Sequence, residues 1–284
     1  MDSAYNFLLV RFGEIRATVS RETIALGLEY LGTAFHGFQS QRGPTTVQDI
    51  LEKALARVAG EAIRVTAAGR TDAGVHATHQ VVSFTGPRRP LSAWVKGVNS
   101  EIGDNVAVIW AERASESFNA RRSAVRRRYM YVFGEADPRP AIGNDLAYWQ
   151  TNILDVERME VAAQILVGEH DFSSFRAAQC QAPTPNRRIE KLTVSRNGRM
   201  VVIDTVANAF LMHMVRNIAG TLKQVGLGVL GIGEVSPLLA ARNRSLAAPT
   251  APPHGLYLVQ VTYPDLSRTI EVRCPVILGP QVID

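Results

Sequence analysis

Apolar positions along this chain switch repeatedly between a period of two and a period near 3.6, so strands and helices should alternate. Ile24, Leu26, Leu28 and Tyr30 alternate with Ala25, Gly27 and Glu29, which predicts a strand with one buried face. Val47, Ile50, Leu51, Ala54, Leu55 and Val58 then share one helical stripe, opened by Thr45 or Thr46 as N-cap and closed by Gly60. Strands are expected near residues 63–67 and 80–84. Between them Gly69-Arg-Thr-Asp-Ala-Gly74 sets an acid between two glycines, the pattern of a tight turn that displays its side chains. A helix near 92–99 and a strand near 106–111 follow. A longer strand, 124–133, puts Arg127, Tyr129, Tyr131 and Phe133 on one face.

The second half opens with a helix capped by Asp155, striped by Val156, Met159, Ala163 and Leu166, and ending at Gly168. Strands at 191–195 and 200–207 form a hairpin around Asn197-Gly198, the strongest short turn signal in the chain. A long helix is expected from about 209 to 225, a Pro-rich loop over 248–253, and a last strand over 255–263. Alternating elements mixed with hairpins imply a mixed sheet of the α+β class, in two halves of similar content without a sequence repeat. The expected divisions are an N-terminal extension (1–22), an N-terminal half (23–115), a connecting strand and loop (116–150), a C-terminal half (151–264) and a tail (265–284).

Composition adds a partner class. The 284 residues are 46% hydrophobic and 20% charged, ordinary for a globular chain, but Lys and Arg outnumber Asp and Glu by 31 to 26. Arginines cluster at 121–122, 126–128, 187–188 and at 242 with 244, a pattern that fits either solvated faces or a polyanionic partner such as nucleic acid. Cys180 and Cys274 are far apart and form no CxxC, so a reduced, cytoplasmic protein is expected. No apolar run approaches the roughly 20 residues a membrane span needs. The short apolar patch at residues 7–10 is followed by Arg11, Glu14 and Arg16, unlike a signal peptide.

Motifs for cofactors are weak. Gly226-Leu-Gly-Val-Leu-Gly231 has the spacing of a dinucleotide turn but follows a helix, so helix termination explains it better. His76 and His79 lack a third ligand nearby. No metal or cofactor is therefore expected. Asp72, within Gly69-Arg-Thr-Asp-Ala-Gly-Val-His76, admits two readings. It closes an Asx-turn on a local amide, or it is a displayed carboxylate held by a cation. Arg216, inside the apolar segment Phe210-Leu-Met-His-Met-Val-Arg216, is a candidate cation; alternatively it snorkels from the edge of that helix.

Gly69 to His76, continued by Gln80-Val-Val-Ser-Phe84, resembles the signature of the TruA family of tRNA pseudouridine synthases. Glu29-Tyr-Leu-Gly-Thr33, Gly37-Phe-Gln-Ser-Gln41, Val47-Gln48 with Leu51-Glu52, Phe118-Asn-Ala-Arg121 and Arg127-Arg128-Tyr129 are similar to that family in the same order. So are His170-Asp-Phe-Ser-Ser-Phe-Arg176, Cys180-Gln181, Asn208-Ala-Phe210, Met214-Val-Arg-Asn217 and Gly255-Leu-Tyr-Leu258. The likeness runs from about Thr23 to Tyr263. The chain departs from the family at Leu31 (usually Asp), Phe38 (usually Trp), Ile102-Gly103 (usually Leu-Pro) and Asn105 (commonly Asp).

The resemblance implies the pseudouridine synthase fold: a mixed, mostly antiparallel sheet flanked by helices, two similar halves around a central cleft, and a homodimer. It implies isomerisation of uridines 38–40 in the anticodon stem-loop of tRNA, without cofactor. Asp72 is then the catalytic carboxylate, Arg216 the cation that holds it, and Tyr129 the aromatic that stacks on the base and helps remove the C5 proton. Arg70, Gln39, Arg121, Arg128 and Arg176, with Tyr129, would bind substrate. Two rivals stand beside this reading: a pseudouridine synthase for another RNA site, and a non-catalytic RNA-binding protein on the same fold.

Overall fold

In the computed structural model, which describes residues 20–266 and 272–279, the strands join into one ten-stranded sheet. In chain order they are β1 (Arg21–Tyr30), β2 (Thr66–Ala67), β3 (His76–Pro87), β4 (Val106–Ala114), β5 (Arg126–Glu135), β6 (Tyr148–Gln150), β7 (Gly168–Asp171), β8 (Asn186–Asn197), β9 (Met200–Ala207) and β10 (Leu256–Thr262). The order across the sheet is β4-β1-β3-β10-β5-β9-β8-β7, with β2 beside β3 and β6 beside β5. Pairing is antiparallel except between β3 and β10 and between β5 and β6, so the sheet is mixed and mostly antiparallel, as the resemblance implies. The helices are α1 (Val47–Ala59), α2 (Val156–Gln164), α3 (Met214–Gly226) and α4 (Val235–Ala240), with a short π-helical segment at Ala93–Gly97. Most of the extension 1–22, including the apolar patch at 7–10, and much of the tail lie outside the described residues.

Local chemistry explains most element ends. Thr46 accepts a hydrogen bond from the Asp49 amide at the start of α1, and Gly60 closes it in a left-handed conformation (φ 78). Asp155 likewise accepts from the Arg158 amide at the start of α2. Along β5, Tyr129, Tyr131 and Phe133 enter the larger core beneath α1, α2 and α3, while Met130 and Val132 enter a smaller core on the other face, closed by Leu278.

Several expectations need correction. The first strand is buried on both faces, not one: Ala25 is fully buried, and Gly27 lies so near the Trp110 ring that a Cβ would fall 2.0 Å from its nitrogen. The strand near 63–67 is reduced to Thr66–Ala67. The second-half helix stops at Gln164, and Gly168 instead begins β7. The hairpin turn is Gly198-Arg199, because Asn197 is still paired with Met200. The helix expected from 209 begins at Met214, because His213 takes a left-handed backbone (φ 63) that no helix can continue through.

The two halves meet at a short parallel pairing, Tyr257↔His76 and Leu258↔Ala77. Leu258 pairs on its other side with Tyr129. The loop carrying Asp72, which leads directly into β3, therefore emerges at the seam where β3 meets β10, two strands across from Tyr129 on β5.

Candidate active site

The Asp72 loop is fixed by its neighbours on both sides. The buried Thr71 hydroxyl shares a 2.9 Å hydrogen bond with the Tyr30 hydroxyl, and the Thr71 carbonyl accepts from the Phe38 amide at 3.1 Å. The Gly69 carbonyl accepts from Gln80 Nε2 at 2.6 Å. Gly37 (φ 89) backs onto the loop so closely that a Cβ would lie 2.9 Å from the Thr71 carbonyl oxygen, which is why glycine stands there. The turn is closed by the Asp72 backbone carbonyl, which accepts from the Val75 amide at 3.1 Å. The Asp72 side chain is thus not spent on an Asx-turn.

Instead its Oδ2 accepts a charge-assisted hydrogen bond from Arg216 Nη1 at 3.0 Å. Arg216 sits in the first turn of α3, and its side chain is only 13% exposed. It is paired, not snorkelling. Its Nε donates to the Ala251 carbonyl at 2.8 Å, so the guanidinium is held at both ends. The segment carrying Ala251 approaches through Gly220, where a Cβ would lie 2.2 Å from the Pro249 carbonyl oxygen, and Tyr131 Oη donates to the Pro252 carbonyl at 2.8 Å. Gly220→Ala should therefore displace the carbonyl that aims Arg216. The expected result is a loss of about 1–3 kcal/mol in a denaturant titration, together with slowed turnover. Wild-type stability in that variant would refute the close approach.

Tyr129 is buried and meets Phe210 edge-on, ring centroids 5.1 Å apart at 84°. Gly69 lies against its phenol oxygen; a Cβ there would be 3.3 Å away. Burial pushes the phenol well above its ordinary pKa, with Tyr30 adding, Arg127 opposing and Asp72 adding. The group therefore stays protonated at neutral pH. A phenolate base for the C5 proton is disfavoured, and an aromatic platform is favoured.

The remaining sequence-predicted residues divide. Arg70 is exposed two positions before Asp72, and Arg121 is exposed on the loop before β5. Gln39 donates to Gln48 Oε1 at 2.8 Å and so braces the start of α1. Arg176 donates to the Cys180 and Ala182 carbonyls and shapes its own loop. Arg128 is not brought to the site: alternation along β5 turns it to the face opposite Tyr129, where Nε and Nη2 each reach Asp204 at 2.7 Å.

Two residues that sequence reasoning missed stand out. Arg127, on the Tyr129 face, donates to the carbonyls of Ala68, Arg121, Ala124 and Asn208. It stitches together the loops that carry the exposed arginines 70, 121 and 122. His213 has Nε2 3.4 Å from Asp72 Oδ2. The parity of β5 put Arg127 on the Tyr129 face without giving it a role; no local signal marks His213. The histidines considered for metal are engaged elsewhere. His76 Nδ1 accepts from the Gly32 amide at 3.1 Å and its ring stacks on Tyr257, while His79 Nε2 accepts from Trp110 Nε1 at 2.8 Å. A cavity of about 360 Å³ beside β6, lined by Arg139, Asp145, Tyr148, Trp149 and His254, lies apart from Asp72.

A carboxylate clamped by arginine at the seam of a mixed sheet suits nucleophilic or charge-stabilising chemistry. A sequence profile described as tRNA pseudouridine synthase matches residues 28–121 and 162–264. The chain is 51% identical over 243 residues to tRNA pseudouridine synthase A of Shewanella frigidimarina (strain NCIMB 400), covering 85% of this chain and 93% of that protein. It is 49% identical over 242 residues to tRNA pseudouridine synthase A of Legionella pneumophila (strain Lens), covering 85% and 92%. The chain belongs to the tRNA pseudouridine synthase family.

Proposed function

We propose that this protein isomerises uridine to pseudouridine at positions 38–40 of the tRNA anticodon stem-loop, working as a homodimer with Asp72 as its catalytic carboxylate. The observation that carries the reading is the Arg216–Asp72 contact at 3.0 Å, on a loop whose backbone is fixed before substrate arrives. The reaction conserves every atom: the N1–C1′ bond breaks, the freed uracil turns, C5 bonds to C1′, the C5 proton leaves, and N1 gains a proton. Nothing is oxidised or reduced, so the chemistry calls for no redox cofactor.

Asp72 answers the positive charge that develops at C1′ as the glycosidic bond breaks. Tyr129, backed edge-on by Phe210, offers a face for the base. The target must leave the helical stack at a cost of a few kcal/mol. Arg70, for whose side chain no hydrogen bond or ion pair occurs among the described residues, is free to fill the vacated space. Arg121 and Arg122, on the loop stitched by Arg127, suit backbone phosphates. The complete set Asp72, Tyr129 and Arg216 favours an enzyme over a retired, RNA-binding relative. Purified protein incubated with an unmodified tRNA transcript should yield pseudouridine at 38–40 on mapping. Modification confined to another position would select the rival synthase reading.

A further inference from the structure

The helix that delivers Arg216 starts at a strained residue. His213, its N-cap, adopts φ 63 and ψ 0, and its side chain makes no capping hydrogen bond. Apart from Arg242 it is the one non-glycine residue with positive φ among the described residues. Such a conformation is retained where surrounding structure enforces it, often at a functional site. Its imidazole lies against Asp72, with Nε2 3.4 Å from Oδ2, the oxygen that Arg216 also contacts at 3.0 Å. Oδ1 accepts no hydrogen bond among the described residues. Both side chains are partly open, His213 at 28% and Asp72 at 26%.

We propose that His213 is a positioning residue that donates from Nε2 to Asp72 Oδ2 as substrate closes the site, so that His213 and Arg216 hold one carboxylate oxygen and aim the other at the ribose. The inference rests on the reading of Asp72 as the catalytic carboxylate. At 3.4 Å the contact is longer than a strong hydrogen bond, as contacts in unliganded sites often are before substrate tightens them. The charged groups facing the imidazole are Asp72 from the β2–β3 loop, Arg216 from α3 and Arg244 from beyond α4. Burial lowers its proton affinity most; Asp72 opposes, and Arg216 and Arg244 add to the lowering. The imidazole is therefore neutral at pH 7, with one N–H to give. In acid it becomes a second full cation on Oδ2 and draws negative charge away from Oδ1, so turnover should fall.

A bland alternative is that His213 merely fits the bend before α3. Two variants separate these roles. His213→Gly keeps the left-handed backbone without strain but removes the donor. His213→Gln restores an N–H at the reach of Nε2. Single-turnover tritium release from C5-labelled tRNA, with KM and thermal melting alongside, gives the readout. His213→Gly should lose on the order of 10- to 100-fold in kcat with KM and melting temperature held. His213→Gln should recover to within a few-fold at pH 7 and lack the acid fall-off of the wild type. His213→Gly at wild-type kcat, or a Gln variant no better than Gly, would overturn the assignment. Wild-type protein that releases no tritium would instead sink the proposed function and this inference with it, whereas normal wild-type release beside a fully active Gly variant sinks the inference alone.

Discussion

Asp72→Asn should abolish isomerisation, by roughly 10⁴-fold or more, while tRNA affinity stays within about tenfold, or ~1.4 kcal/mol. The substitution is isosteric, so the loop should hold. Thr71 remains bonded to Tyr30, the position-72 backbone carbonyl still receives the Val75 amide, and Arg216 keeps the Ala251 carbonyl. What disappears is the negative charge at the seam, and with it the group proposed to meet developing charge at C1′. No phosphate contact is lost. Tritium release from C5-labelled uridine reads the chemistry, and equilibrium binding reads the affinity. Appreciable release by the Asn variant would remove Asp72 from the catalytic role.

The second large effect separates two arginines near Asp72 that the structure treats differently. Arg216 is largely buried and bonded through both Nε and Nη1; Arg70 is exposed on the same loop as Asp72. Arg216→Ala deletes the clamp on Oδ2 and leaves the Ala251 carbonyl without its donor, so the chemical step should slow by roughly 10²- to 10³-fold. Arg70→Ala should instead impair capture of the flipped uridine, because its proposed task is to occupy the gap in the stack. A stem-loop mismatched at the target already has that base partly unstacked. It should rescue Arg70→Ala substantially and Arg216→Ala hardly at all, in single-turnover rates at saturating enzyme. Equal rescue of both variants, or of neither, would show the two assignments to be wrong.

Much of the fold was legible because its signals are local. Thr46 and Gly60 bracket α1 through cap chemistry within a few residues, and the parity of β5 correctly grouped Tyr129, Tyr131 and Phe133. That same parity placed Arg127 beside Tyr129 and Arg128 on the far face, so the choice of Arg128 as a substrate contact ran against the strand's own geometry. Burial of β1 on both faces was hidden because alanine and glycine at the alternate positions look neutral to a period-two pattern. The start of α3 was misjudged for a different reason. A left-handed histidine is imposed by tertiary contacts, and nothing in the local sequence distinguishes it from a helical one. The Arg216–Asp72 pair joins residues 144 positions apart; the apolar setting of Arg216 made it a candidate, but choosing the pair over a snorkelling arginine took the family resemblance. The aiming carbonyl of Ala251 was beyond reach altogether, since a backbone oxygen carries no residue signature.

This chain is proposed to make pseudouridine at positions 38–40 of tRNA through Asp72. The most direct measurement is a nucleotide-resolution pseudouridine map of total tRNA from cells lacking the protein, re-expressing either the wild type or Asp72→Asn. Pseudouridine at 38–40 should vanish on deletion, return with the wild type and stay absent with the Asn variant, while the other pseudouridines persist. An unchanged map on deletion, or restoration by the Asn variant, would show that Asp72 of this protein does not make those pseudouridines.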